Sequence, residues 1–508
     1  EYMPVTHGVA GSSPVRTAFL RSVIVLITDL FYCLILIFYF VKTNNLIKVF
    51  CVLLLVSSCG DSKDVKWENA VKEVEASHLA RPTKVQYERQ EMELAMFIQL
   101  DPATIQEGEY DDGSTKLEDI KFERLDVNQW CNAAKAFGAK EIVFMLAHSG
   151  GFCMWPSSTT QYHIGNTPYK GGNGDVVKEF AQACRDNGLK AGFYLWAPHP
   201  SEEGDTKNTV DYSKIDQVRT REQSNDILKI RFHEIMDRLG SDLVTEIWID
   251  QPIKASIGKE IAERAPHAVV AAVGCHDPYP SIRWPGTETG TVSDPCWSTT
   301  TKEKMSRHCD TQFEADQNQS QEADDPNGDF WAPHEADTQL HHGCWHMRPD
   351  ALSKRKTVEE LMNCYIKSVG RNSFLILNGA PMADGSIHSD DLKRYEEFGR
   401  EIERRFGHPI ASVEKIAAYE VVLDLDKPIA IGYSDLGEAY QYGQRIRSYE
   451  IDGYDATTNQ WIQIATGTSV GKRKIDVIEK NDVFSKVRAK ITSSVGTPLV
   501  TRFQIHSK

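Results

Sequence analysis

From residue 94 to about 406, short apolar runs alternate with longer stretches whose apolar residues recur every three or four positions. The runs at 94–100, 141–146, 190–195, 243–250, 268–273 and 373–378 are compact and apolar. Strands covered on both faces read this way. Between them, 127–137, 175–187, 223–239, 258–264, 357–370 and 390–406 carry helical spacing. Alternating strand and helix over 91–410 predicts a parallel α/β fold, and at that size a (β/α)8-like barrel. After Pro409 the texture changes. Runs at 421–425, 429–433, 444–451, 461–466, 487–491 and 499–505 are short and parted by polar turns. They predict an all-β sandwich over 411–508.

Three stretches depart from this pattern. Residues 60–90 are polar and charged, and read as a tether with a first helix at 65–80. Residues 297–340 are polar and acidic, with Gln317-Asn318-Gln319-Ser320-Gln321 and Asp324-Asp325-Pro326-Asn327-Gly328. They read as a long loop that walls a pocket. The first 59 residues hold two apolar stretches. One, 23–41, is nearly long enough to cross a bilayer but contains Asp29. The other, 49–56, follows Lys48 and ends in Val56-Ser57-Ser58-Cys59-Gly60. A basic residue, a short apolar core and small residues describe an export signal. The ending resembles the bacterial lipobox, in which the Cys becomes the lipidated first residue. Residues 1–59 are therefore expected to be a leader, and the product an exported bacterial lipoprotein held at the periplasm or outer surface through Cys59. A hydrophobic anchor with an incidental Cys is the alternative. The chain starts at Glu1 and has no Met between Met3 and Met92, so residues before about 45 are read as lying upstream of the natural product.

Composition narrows the function. Lys and Arg total 57 against 72 for Asp and Glu, a net charge of −15. This argues against a nucleic-acid partner, which needs clustered cations. A neutral ligand such as a sugar suits an acidic surface. The 11 cysteines form no CxxC pair, so zinc spacing is absent and neither metal nor cofactor is expected.

The candidate chemistry sits where apolar runs end, because strand ends build the active site of a barrel. The run at 141–146 leads into His148, then Gly150, Gly151 and Trp155. The run at 243–250 ends in Trp248-Ile249-Asp250. A Gly-rich loop carries Arg283-Trp284-Pro285-Gly286-Thr287-Glu288. Taken singly, each has a plain structural reading: a packed His and Trp, a helix-capping Asp, an exposed turn Glu. Two carboxylates at one barrel mouth, however, are what glycoside hydrolysis requires.

Four ordered segments resemble glycoside hydrolase family 29, the α-L-fucosidases. They are Gly151-Phe152-Cys153-Met154-Trp155-Pro156-Ser157, Glu246-Ile247-Trp248-Ile249-Asp250, Arg283-Trp284-Pro285-Gly286-Thr287-Glu288, and Ser368-Val369-Gly370-Arg371-Asn372-Ser373-Phe374 with Ala383-Asp384-Gly385. The resemblance continues into the sandwich, which is similar to the discoidin-type (factor 5/8) module. It implies a retaining enzyme acting on fucosylated oligosaccharides or glycoconjugates, with Asp250 as nucleophile. It also implies Glu288 as the acid/base of the branch that cleaves α-1,3 and α-1,4 linkages, although that branch reads Val-Gly-Asn-Glu where this chain has Pro285-Gly286-Thr287-Glu288. Glu335 is the reserve acid/base. Retention sets the two carboxyl groups about 5–5.5 Å apart. Expected sugar contacts are Gln99, His148, Trp155, His199, Trp248, Trp284 and Trp345. The chain departs from the family at two of its sugar-binding stretches. The family's Phe-Ile-His-Trp-Gly is Phe97-Ile98-Gln99-Leu100-Asp101 here, and its His-His-Asp-Gly-Phe is His148-Ser149-Gly150-Gly151-Phe152. The alternative reading is a weak or inactive carbohydrate-binding protein of the same fold, or a hydrolase for a related sugar.

Overall fold

The computed structural model describes residues 66–75, 78–196, 221–253, 255–273, 281–305, 324–479 and 482–508. Cys59 and His199 lie outside them. Strands β1 (Leu94–Ile98), β2 (Glu141–Ala147), β3 (Lys190–Leu195), β4 (Val244–Pro252) and β5 (Val269–Val273) follow the apolar runs. A small antiparallel pair, β6 (Thr299–Thr300) and β7 (Phe330–Trp331), precedes β8 (Glu335–Thr338) and β9 (Phe374–Gly379). Apart from that pair, these strands form one parallel sheet in the order β5-β4-β3-β2-β1-β9-β8. The gap between β5 and β8 is spanned by residues 281–283. Ser281 N–H donates to Val270 O at 3.0 Å, Arg283 N–H to Pro333 O at 2.9 Å, and Glu335 N–H to Arg283 O at 2.9 Å. Arg283 and His334 make a parallel bridge. This segment takes the place of an eighth strand and closes the curl into a (β/α)8-like barrel.

Strand alternation sorts the side chains. Ala95, Phe97, Val143, Met145, Tyr194, Trp248, Phe374 and Ile376 pack together inside the barrel. Met96, Ile98, Ile142, Phe144, Phe193 and Ile247 face outward onto Trp130, Phe180, Phe232 and Tyr395 from the surrounding helices.

The amino end of the barrel is plugged by a helix that its polar sequence conceals. Lys84–Met92 begins with a capping box between Thr83 and Gln86, and it buries Gln86, Arg89 and Gln90. Arg89 reaches Glu141 at 3.2 Å, Glu335 at 2.7 Å, and Glu246, all four fully buried. Three carboxyls share one guanidinium, so acid is in excess. Burial pushes Glu141 up to about 7, partly opposed by Arg89 and reinforced by Glu246. Because the folded value exceeds the unfolded one of about 4.3, the stability from this protonated carboxyl is complete below that and lost as pH rises through about 7. Glu141→Gln is expected to flatten the fall in unfolding temperature between about pH 4 and 7, as read by thermal unfolding across pH.

The C-terminal region contains β10 (Ala411–Ile416), β11 (Glu420–Ala430), β12 (Tyr433–Glu438), β13 (Ile446–Asp455), β14 (Gln460–Gly467), β15 (Lys474–Val477), β16 (Val483–Ser494) and β17 (Val500–His506). They form two antiparallel sheets, β10-β17-β12-β15 and β11-β16-β13-β14. Leu423, Leu436, Tyr449, Ile451, Phe484, Val487, Phe503 and Ile505 fill the space between them. The sandwich fits a discoidin-like module. The expected strand at 429–433 is instead the end of β11 and the step into β12. The sandwich packs on the barrel through buried polar contacts. Arg473 bonds Asp435 at 2.8 Å and donates to Tyr365 Oη at 2.6 Å, while Ile475 N–H donates to Gly370 O at 2.8 Å.

Candidate active site

Asp250 lies near the carboxyl end of β4, half-buried at the barrel mouth. Tyr194, on the neighbouring β3, donates its hydroxyl to Asp250 Oδ2 at 2.6 Å. Burial raises the Asp250 carboxyl above its ordinary value, and the nearby charge of Glu288 adds to this, while the Tyr194 hydrogen bond opposes it. Glu288 is exposed on the loop after residue 283, and Gln339 Nε2 donates to its Oε2 at 2.5 Å. Asp337, pointing inward from β8, accepts from Trp284 Nε1 at 2.8 Å. Burial pushes Asp337 up to about 8, with Glu288 and Asp250 both adding to the shift and the Trp284 hydrogen bond opposing it. Three carboxyls therefore face one mouth: Asp250, Glu288 and Asp337.

Aromatic rings make the floor and walls. Phe97 sits 6.1 Å from Tyr194, 6.4 Å from Trp248 and 6.1 Å from Trp345. Trp345 is held by its backbone, donating to Glu109 and accepting from Asn378 Nδ2 at 2.8 Å. His148, after β2, stacks on the exposed ring of Tyr110 at 5.7 Å and meets Trp196 at 5.1 Å. Burial drives His148 down to about 4, only partly opposed by Asp101, so it is neutral at pH 7 and can both donate and accept. Gln99 ends up buried beyond β1, its N–H donating to Gly379 O at 3.1 Å.

Two expected site residues are not at the mouth. Glu335 begins β8 at the amino end of the barrel, where Arg89 and the indole of Trp248, at 2.8 Å, hold its carboxyl. It is committed to the plug and does not face the Gly-rich loop. Trp155 is fully buried between the sheet and the helices, donating to Glu234 Oε2 at 2.8 Å. Its ring is core. Trp248 lies inside the barrel as floor, below Asp250.

The departures from the family pattern have a structural counterpart. A Cβ on Gly150 would lie 1.8 Å from Asp111 Oδ2, so the Asp111 carboxyl fills the space of a side chain at 150. Asp111 is fully buried, and its Oδ1 accepts from Gln106 at 2.8 Å and from Gly113 N–H at 2.9 Å. Asp101, where the family has Gly, pairs with buried His346 at 3.2 Å. Burial works against charge on His346, yet Asp101 raises it above its ordinary value. The sequence singled out none of Tyr194, Asp337, Gln339, Tyr110, Asp111 or His346. Inward alternation from Phe193 and Leu195 would have found Tyr194. Among the described residues, Cys296, Asp324 and His334 have metal-ligand spacing, but Arg283 already pairs with Asp324 at 2.9 Å.

A parallel barrel with carboxyls and aromatic rings gathered at the carboxyl ends of its strands is the layout of a glycoside hydrolase. Residues 64–405 match the Alpha-L-fucosidase family, and the chain belongs to it. The Alpha-L-fucosidase 1 of Arabidopsis thaliana is 26% identical over 446 residues, covering 78% of this chain and 81% of its own. A glycoside hydrolase 29 family member from an unknown rumen bacterium has a TM-score of 0.72 at 26% identity, covering 84% of this chain and 77% of that one. A family 29 fucosidase of Ruminococcus gnavus, solved in complex with fucose, shares the fold with a TM-score of 0.71 at 23% identity, covering 85% of this chain and 97% of that one.

Proposed function

We propose that this α-L-fucosidase is a retaining exo-enzyme that releases terminal α-1,3- or α-1,4-linked fucose from glycans. Asp250 attacks the anomeric carbon, and Glu288 protonates the leaving oxygen and then activates water. The observation that supports this reading is that Asp250, fixed by the Tyr194 hydroxyl at 2.6 Å, is near enough to Glu288 to feel its charge. The linkage preference rests on the resemblance of the Glu288 loop. Nitrophenyl α-L-fucoside and a fucosylated trisaccharide should both be cleaved, with α-L-fucose as the first anomer seen by NMR. Appearance of the β anomer first would sink the retaining assignment. Absence of release from either substrate would favour a carbohydrate-binding protein instead, the reading that the changes at Gln99, Ser149 and Gly150 suggest. Anchoring through Cys59 is part of the same proposal. Cys59→Ser should move the protein from the membrane to the soluble fraction, and continued attachment would reject it.

A further inference from the structure

The inward face of β8 and its continuation meets partners at three successive heights. Glu335 holds Arg89 at the amino end, Asp337 holds the Trp284 indole above it, and Gln339 holds Glu288 at the mouth. The last two partners belong to the loop that carries the candidate acid/base. That loop is also tied to β8 by its backbone. Gly290 N–H donates to Asp337 O at 2.9 Å, and Thr289 bridges Thr338. Gly290 adopts a φ of +70°, and a Cβ there would sit 3.0 Å from the Thr338 side chain and from Cys364 Sγ. Only glycine lets the loop come this close.

Glu288 itself is exposed, so burial does not fix its rotamer. Among the described residues, the amide of Gln339 makes the one hydrogen bond to its carboxyl. Gln339 is buried and anchored in turn, because Lys356 Nζ donates to its carbonyl oxygen at 2.5 Å.

We propose that Gln339, with Asp337 supporting the same loop, is the positioning residue of Glu288. It selects the carboxyl oxygen that faces the substrate and holds the carboxyl toward the mouth between proton transfers. The proposal rests on the reading of Glu288 as acid/base. An N–H donated to Oε2 keeps that oxygen unprotonated, so the travelling proton rides on Oε1. Asp250, Asp337, Tyr110, Tyr194 and Lys356 are the other titratable groups that feel the Glu288 charge.

The test is Gln339→Leu, which keeps the volume and removes the donor. On a fucoside with a poor leaving group, kcat/KM should fall about tenfold. On nitrophenyl fucoside the loss should be about threefold or less, because that leaving group needs little protonation. Equal losses on both substrates would make Gln339 merely structural and overturn the proposal. If the Leu variant does not fold, Gln339→Asn withdraws the amide by one methylene and should show the same split. Glu288→Ala is run in parallel. If it lacks a leaving-group-selective loss, the acid/base reading fails. If it shows that loss and the Gln339 variants do not, the positioning proposal alone fails.

Discussion

Asp250→Gly is expected to cut fucoside hydrolysis by roughly a thousandfold or more while leaving the unfolding temperature close to that of the parent. The other two carboxyls at the mouth are otherwise engaged, Glu288 with Gln339 and Asp337 with the Trp284 indole. Stability should hold because the lost carboxyl is half-buried and already raised above its ordinary value, so folding costs something to keep it charged. Its hydrogen-bond donor, the Tyr194 hydroxyl, can turn to water at the open mouth. Glycine also leaves a space where the carboxylate stood. Azide entering that space can attack an activated fucoside directly, giving the β-fucosyl azide by a single displacement. NMR of the product decides the matter. A retained azide product, or near-normal hydrolysis, would remove Asp250 from the nucleophile's role.

How much of this was legible beforehand follows from where apolar residues could advertise a strand. β1 to β5 and β9 are covered on both faces, so their sequences are apolar throughout and their ends placed Asp250 and His148 correctly at strand tips. β8 escaped because Glu335-Ala336-Asp337-Thr338 points acids inward, toward Arg89 and Trp284, within a stretch that reads as polar loop. Asp337 and Gln339 were lost with it. The plug helix Lys84–Met92 escaped for the same reason, since its buried face is Gln86, Arg89 and Gln90 and not leucines. In both places hydrogen bonds and ion pairs replace apolar burial, and periodicity in hydrophobicity cannot register them. Trp155 misled in the opposite sense. An aromatic following a strand end suggested a sugar platform, but the chain turns back and packs the ring beneath the helix Arg221–Leu239. The missing motif Asp at Gly150 was visible as a loss, while its replacement in space by Asp111 joins residues 39 apart and needed the fold.

Glu288→Ala should behave unlike Asp250→Gly, and the contrast assigns roles. A general acid matters in proportion to the proton its leaving group needs, so a glycan linkage should slow by about a hundredfold or more. Nitrophenyl fucoside should still form the fucosyl-enzyme at Asp250 at nearly the parent rate. Its breakdown should then become limiting, because no base remains to activate water, and a burst of nitrophenol should precede slow turnover. Azide needs no base. Added azide should therefore speed turnover and give the α-fucosyl azide, retained through two displacements, where Asp250→Gly gives the inverted one. The substitution removes an exposed side chain whose hydrogen bond among the described residues is to Gln339, so the fold should be unaffected. Equal slowing of good and poor leaving groups would strip Glu288 of the role. Asp337 is then the carboxyl to test, since it is the remaining acid at the mouth and, pushed up to about 8, still carries its proton at pH 7. Asp337→Asn would in that case take over the leaving-group-dependent loss.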